Sequence, residues 1–301
     1  MLPKASEHIK IRLHYWNCRG RVQTVRYMLE DIAYTNKNVD YKEDFELLEK
    51  GAESWFAHKL DETVSGPFHN LPVLNWNDAY TFGQTLTIGQ LLARKFNLYG
   101  KLTRSINDND VLYGYIDGVV SCAYTDIISN VLTCIWTCVK FDENNSASNS
   151  LTGKITGDLK TLNNLLKKSS TSFYYDQKEP TIADYFVFEA FTIARDYCKK
   201  LIPNEEDCQA LIKLEQTMKK RPALAKYFNQ GLLLKLWNNM DRLMITSRIK
   251  STCEILKDAT LAARCPFDSK TILVDIEPHS ISMTASCYTV PSISHILSKH
   301  N

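Results

Sequence analysis

Tyr15, Cys18, Arg19 and Arg21 crowd into one short segment, Leu13-His14-Tyr15-Trp16-Asn17-Cys18-Arg19-Gly20-Arg21. A phenol beside an arginine-rich turn can hold a small thiol and ionise it, because a thiolate is favoured by a nearby hydrogen-bond donor or positive charge. Lowering a thiol pKa by about 2 units corresponds to about 2.7 kcal/mol. A strand-end tyrosine equally suits half-buried packing, so residue type alone leaves both roles open.

The flanking residues must position this segment. Ile9, Ile11, Leu13 and Tyr15 alternate with Lys10, Arg12 and His14, the period of a half-buried strand. Beyond Gly20, residues Val22, Val25, Met28, Leu29 and Ile32 recur at helical spacing. Tyr15 therefore falls at the carboxyl end of a strand, beside a turn, where α/β sheets bind ligands.

Further along, Asn38 to Phe45 reads as a strand and Phe45 to Leu60 as an irregular helical stretch carrying Trp55 and Lys59. Leu71 to Trp76, a turn at Asn77-Asp78, and Tyr80 to Phe82 predict a hairpin, followed by a helix from Thr85. The order βαβαββα makes a compact α/β unit ending near Tyr99. Past Lys101 the pattern turns helical, with a stripe running from Ile116 through Val119, Val120, Ala123, Ile127, Val131 and Ile135 to Val139. The polar run Asp142 to Ser150 reads as a loop and Lys154 to Lys168 as a helix. Thr181 and Asp184 form a capping box ahead of an apolar run, and Arg221-Pro222 opens another helix.

The composition bounds the partners. The chain has 301 residues, 44% of them hydrophobic, and a net charge of +2 from 36 basic and 34 acidic side chains. That balance suits one or two globular domains and predicts no nucleic-acid partner. Nine cysteines without a CxxC, and no apolar signal region in Met1 to His8, predict a reducing, cytoplasmic location; the sequon at Asn144 is then idle. No apolar run is read as approaching the roughly 18 to 20 residues of a bilayer span. No metal-spaced cluster, HExxH, Walker loop or GxGxxG is found, so no metal is expected.

Taken in order and spacing, these features resemble a cytosolic glutathione transferase of the tyrosine type, closest to the sigma class. The resemblance is carried by Tyr15-Trp16-Asn17 with Arg19-Gly20-Arg21, the Trp55 to Lys59 spacing, Leu71-Pro72-Val73-Leu74, Gln84-Thr85 leading into Leu91-Leu92-Ala93-Arg94, and the Thr181 to Asp184 box. It covers roughly Ile9 to Gln230. It implies a thioredoxin-like glutathione-binding domain over 8–99, an all-helical domain over 107–230, a homodimer, and glutathione with a small hydrophobic electrophile as substrates. Residues 231–301 have no counterpart; Leu232 to Leu243 reads there as a helix and Thr271 to Ile276 as a strand.

By the same resemblance Tyr15 is the catalytic residue, supported by Arg21, while Arg19 is open to a structural role. Asn70, Leu71 and Pro72 meet the glutathione backbone across a cis bond before the proline. Gln84 and Thr85 take the γ-glutamyl end, with threonine where the family usually has serine. A plain helix N-cap is the compatible alternative for this pair. Trp55 and Lys59 hold the glycyl carboxylate, or are a core tryptophan beside a solvated lysine. Asp117 reaches the partner subunit's glutathione, or is a helix-surface carboxylate. Cysteine near this turn serves thiol exchange in some classes, but Tyr15 fills the tyrosine-class position and Arg19 rather than proline follows Cys18. Two other functions compete with the transferase: a non-catalytic crystallin-like or scaffold relative, and a thiol oxidoreductase centred on Cys18.

Overall fold

The computed structural model describes residues 8–43, 52–104, 106–136 and 146–231, all within one compact unit. Strand β1 (Ile9–His14) buries Ile9, Ile11 and Leu13 and leaves Lys10, Arg12 and His14 half-buried, as the alternation predicts. A single 3-10 turn, Gly20–Val22, leads into α1 (Gln23–Thr35), which returns the chain so that β2 (Val39–Glu43) pairs parallel to β1. Two short helices follow, α2 (Ala52–His58) and α3 (Glu62–Ser65). Residues 44–51, the first part of the expected irregular stretch, lie outside the described residues.

Strands β3 (Val73–Trp76) and β4 (Tyr80–Gly83) form the predicted hairpin. Its turn residues Asn77 and Asp78 both adopt positive φ, which short polar side chains tolerate best. The sheet order is β2-β1-β3-β4, with only β1 and β2 parallel. Helix α4 (Thr85–Lys95) completes the βαβαββα order, to which α3 adds one extra turn.

Beyond α4 the regular elements of the described chain are all helical. Helix α5 (Asn109–Ser121), a π-helical segment (Cys122–Ile128) and α6 (Ser129–Trp136) form one continuous run, capped at its start by the Asp108 carboxylate. The expected stripe from Ile116 to Ile135 is buried, while Val139 lies outside the described residues. This run corrects one expectation. Asn109–Ile135 is long and apolar enough to cross a membrane by length and composition, its most apolar 18-residue stretch having a mean hydropathy of 1.4, although half of that stretch is buried inside the protein.

A second correction concerns the predicted loop. Helix α7 (Ser146–Leu166) begins inside the Asp142 to Ser150 run and ends short of Lys168. Polar residues at a helix start oppose it little, and burial of Ile155, Leu159, Leu162 and Leu166 outweighs weak local propensity. Helix α8 (Ile182–Tyr197) starts at the predicted capping box and is buried at every residue from Ile182 to Ala194, so it forms the centre of the helical part. Helices α9 (Gln209–Lys220) and α10 (Pro222–Asn229) follow, the latter with proline in its first turn as predicted. The 231–301 extension lies, after Gly231, outside the described residues.

The sheet and the helical part interlock through α1. Tyr27 packs its ring against Phe188, Tyr227 and Phe228, with centroids 5.0 to 5.8 Å away. Buried Asp31 accepts hydrogen bonds from Tyr185 Oη and Arg221 Nε. The result is a thioredoxin-like layer joined to an all-helical region, which is the expected fold class.

Candidate functional site

Strand register gathers three of the expected site segments at one edge of the sheet. His14 stands opposite Val73, and Val73 opposite Gly83. The next residue outward on each strand is Tyr15, Pro72 and Gln84, respectively. Neighbouring strands are about 4.8 Å apart, so this row spans about 10 Å from first to last. That length suits an extended tripeptide laid across the strand ends.

Tyr15 is buried, and its hydroxyl oxygen accepts a 2.9 Å hydrogen bond from the Arg21 peptide N–H. Burial, followed by the neighbouring Cys18, pushes the phenol pKa well above its ordinary value, against the pull of Arg21 and Arg26. The phenol therefore stays protonated at neutral pH. With its oxygen accepting from Arg21, its own proton is available to an acceptor such as a thiolate. The approach is possible only because position 20 is glycine: φ is +45°, and a Cβ there would lie 2.5 Å from the Tyr15 ring and hydroxyl. The Arg21 side chain reaches α6, with Nη1 3.4 Å from Ser129 Oγ.

At the opposite end of the row, Gln84 is exposed, has a φ of 70° and occupies the N-cap of α4 without using its side chain as a cap. The first turn of α4 carries no acidic residue, so its amide groups suit a carboxylate. Thr85 is 2% exposed, and its Oγ1 is buried with no hydrogen-bond partner among the described residues. Buried hydroxyls are rarely left unpaired, and an anionic ligand group at this helix start would satisfy this one. Between the two ends, the Leu71–Pro72 bond is cis, as the resemblance implies, with Leu71 and Pro72 buried and Asn70 exposed.

The remaining candidates have other engagements. Trp55 is packed in the hydrophobic core, and Lys59, one residue past α2, lays its ammonium 5.8 Å from the Phe56 ring centroid. Asp117 accepts a 2.9 Å hydrogen bond from Tyr99 Oη and a 3.4 Å contact from Gln90 Nε2, both in its own chain. Arg19 is structural: it forks onto buried Glu189 at 2.9 and 3.0 Å and also donates to Asp196 and Thr192, tying the Tyr15 turn to α8. Cys18 is buried, and its carbonyl accepts from Arg26. Among the described residues, no His, Cys, Asp and Glu cluster could hold a metal.

Arg26 escaped the reading of the sequence. Its guanidinium is 1% exposed and bonds both Glu43 and the carbonyls of the turn that follows Tyr15. A signal was present: Arg26 lies four residues after Val22 and three before Leu29, a cation inside the apolar stripe of α1.

A four-stranded thioredoxin-like layer joined to a helical region, with a tyrosine at the strand edge, defines the fold class of the cytosolic glutathione transferases. The chain is similar to these proteins in part of its length. Residues 125–231 match the family model of the glutathione S-transferase C-terminal domain. The chain is 30% identical over 122 residues to a glutathione S-transferase of Gallus gallus, covering 40% of this chain and 48% of that protein. It is 33% identical over 94 residues to S-crystallin SL18 of Nototodarus sloanii, covering 31% of this chain and 26% of that one. The matches thus span about half or less of those curated relatives. The solved Pi-class glutathione S-transferase of Onchocerca volvulus has the same fold, with a TM-score of 0.56 at 19% identity over 76% of this chain and 98% of that chain.

Proposed function

We propose that this protein is a glutathione transferase that activates the thiol of glutathione for conjugation to, or isomerisation or reduction of, small electrophilic compounds. The observation that carries the reading is the row formed by Tyr15, Pro72 and Gln84 at one sheet edge, with the Thr85 hydroxyl, unpartnered among the described residues, at its end. In this reading residues 8–99 bind glutathione and 107–230 form the helical domain that supplies the electrophile pocket.

Tyr15 donates its O–H to the sulfur and stabilises the thiolate, with the Arg21 N–H holding the phenol oxygen in place. Asn70, Leu71 and Pro72 meet the peptide backbone of glutathione. Gln84 and Thr85 take the γ-glutamyl carboxylate at the start of α4. Trp55 and Lys59 hold the glycyl end, which requires Lys59 to leave Phe56. Asp117 serves the partner subunit's site in a homodimer. The tyrosine-type, sigma-like assignment, a role in detoxification and a cytoplasmic location complete the proposal.

Passing the protein over immobilised glutathione and assaying a generic electrophile tests it: retention with turnover is expected, and loss of both defeats it. The S-crystallin match favours a second reading, a non-catalytic relative of the same fold. Retention without turnover selects that one.

A further inference from the structure

Arg26 stands against local preference. It lies in the first turns of α1, where the helix dipole disfavours a cation, and it is buried. A residue that violates both rules calls for a compensating role. Its Nη1 donates to the Cys18 carbonyl at 2.7 Å and the Arg19 carbonyl at 3.3 Å, and its Nη2 to the Trp16 carbonyl at 3.1 Å. Its Nε bonds Glu43, which ends β2 opposite Leu13 of β1. Three carbonyls of one turn thus converge on a single planar cation anchored to the neighbouring strand. The same turn delivers Gly20 and the Arg21 N–H to the phenol. The guanidinium carbon also lies 5.7 Å from the Tyr15 ring centroid.

We propose that Arg26 is a positioning residue for Tyr15: its fork shapes the 16–21 turn so that the Arg21 N–H meets the phenol oxygen, and its charge favours the thiolate that the phenol stabilises. The inference rests on the glutathione-activating reading of the site. A lysine offers a point charge and cannot span these carbonyls together with Glu43. Glu43 neutralises the cation, so its removal has the opposite electrostatic effect.

The test compares wild type, Arg26→Lys and Glu43→Gln, all as full chains. In the ligand-free protein, amide exchange of Arg21 is measured relative to Leu13 of β1, which cancels global destabilisation. In turnover, the pH profile of kcat/KM reports the apparent thiol pKa. Arg26→Lys is expected to speed relative Arg21 exchange about tenfold and to raise the apparent thiol pKa by about one unit, a tenfold loss of thiolate at a given pH. Its KM for glutathione should stay within about threefold, since no direct ligand contact is lost. Glu43→Gln is expected to lower the apparent thiol pKa.

Wild-type exchange and an unshifted profile in Arg26→Lys overturn the proposal. If Arg26→Lys does not fold, Glu43→Gln decides, and an unchanged or raised thiol pKa counts against the role. Should the wild type neither bind nor turn over glutathione, the functional reading fails, while the exchange comparison still judges the positioning of Arg21.

Discussion

Gly20 lies so close to Tyr15 that a methyl group on it would sit 2.5 Å from the phenol oxygen. The positive φ of Gly20 adds backbone strain to any replacement. Gly20→Ala should therefore displace the phenol and lower turnover more than it lowers glutathione affinity. In a Tyr15→Phe background the same change should cost little further turnover, because coupled residues do not add. Steady-state kinetics of the double-mutant cycle decides; additive losses would show that Gly20 acts elsewhere.

Tyr15→Phe removes the hydroxyl and little packing. Turnover should fall about tenfold or more, the equivalent of a hydrogen bond to a charged group worth about 1.5 to 3 kcal/mol. Glutathione affinity should hardly change. Cys18→Ser, at a buried thiol, should leave turnover near wild type. A dead serine variant beside an active phenylalanine variant would transfer the chemistry to Cys18.

The Arg19–Glu189 pair is buried at 2% and 1% exposure. Removing Glu189 leaves the buried Arg19 cation with only the partly exposed Asp196 as counter-ion, so Glu189→Leu should destabilise the protein by up to about 3 kcal/mol. Arg19→Met combined with Glu189→Leu should recover a substantial part of that loss. Urea unfolding measures both, and a double variant as unstable as the single would show that the pair contributes net stability.

Asp184 accepts from the N–H groups of Thr181 and Tyr174, yet burial outweighs these donors and pushes its carboxyl from 3.8 up to about 7. The folded state then keeps a proton that the unfolded chain releases. Its stabilising contribution is full below about pH 4 and is lost as pH rises through about 7. The stability advantage of wild type over Asp184→Asn should accordingly shrink across that window in denaturant titrations. An advantage that grows with pH would mean that the donors, not burial, set this pKa.

Asp117 is half-buried and shared with Tyr99. In the proposed homodimer, Asp117→Asn is expected to weaken glutathione binding a fewfold without separating the subunits, since solvent screens a partly exposed contact. Tyr99→Phe should leave affinity intact. Calorimetry on both variants separates a cross-subunit role from an intrachain one; equal affinity in wild type and Asp117→Asn removes the former.

Local chemistry made much of the fold legible. The alternation of Ile9, Ile11 and Leu13 specified β1, the Asn77-Asp78 turn specified the hairpin, and the Thr181 to Asp184 box marked the start of α8. Each signal is complete within a few residues, because strand pleat, turn dihedrals and caps are short-range. The start of α7 was misread because its first residues have loop-like composition and the helix is held by burial further along. The four-residue spacing of Trp55 and Lys59 did not show that the first packs in the core and the second lies over Phe56, because both contacts depend on residues that the spacing does not include.

By itself the sequence determined which residue types could ionise a thiol and which strand and helix ends would carry them. Only the tertiary structure decided that Tyr15, Pro72 and Gln84 share one row, through pairings between strands remote along the chain. It also decided that Arg19 braces Glu189 across 170 residues of sequence while Arg26 grips the Tyr15 turn. Buried charges choose their partners by desolvation: each must find its counter-ion wherever packing brings one, and no local pattern encodes that choice.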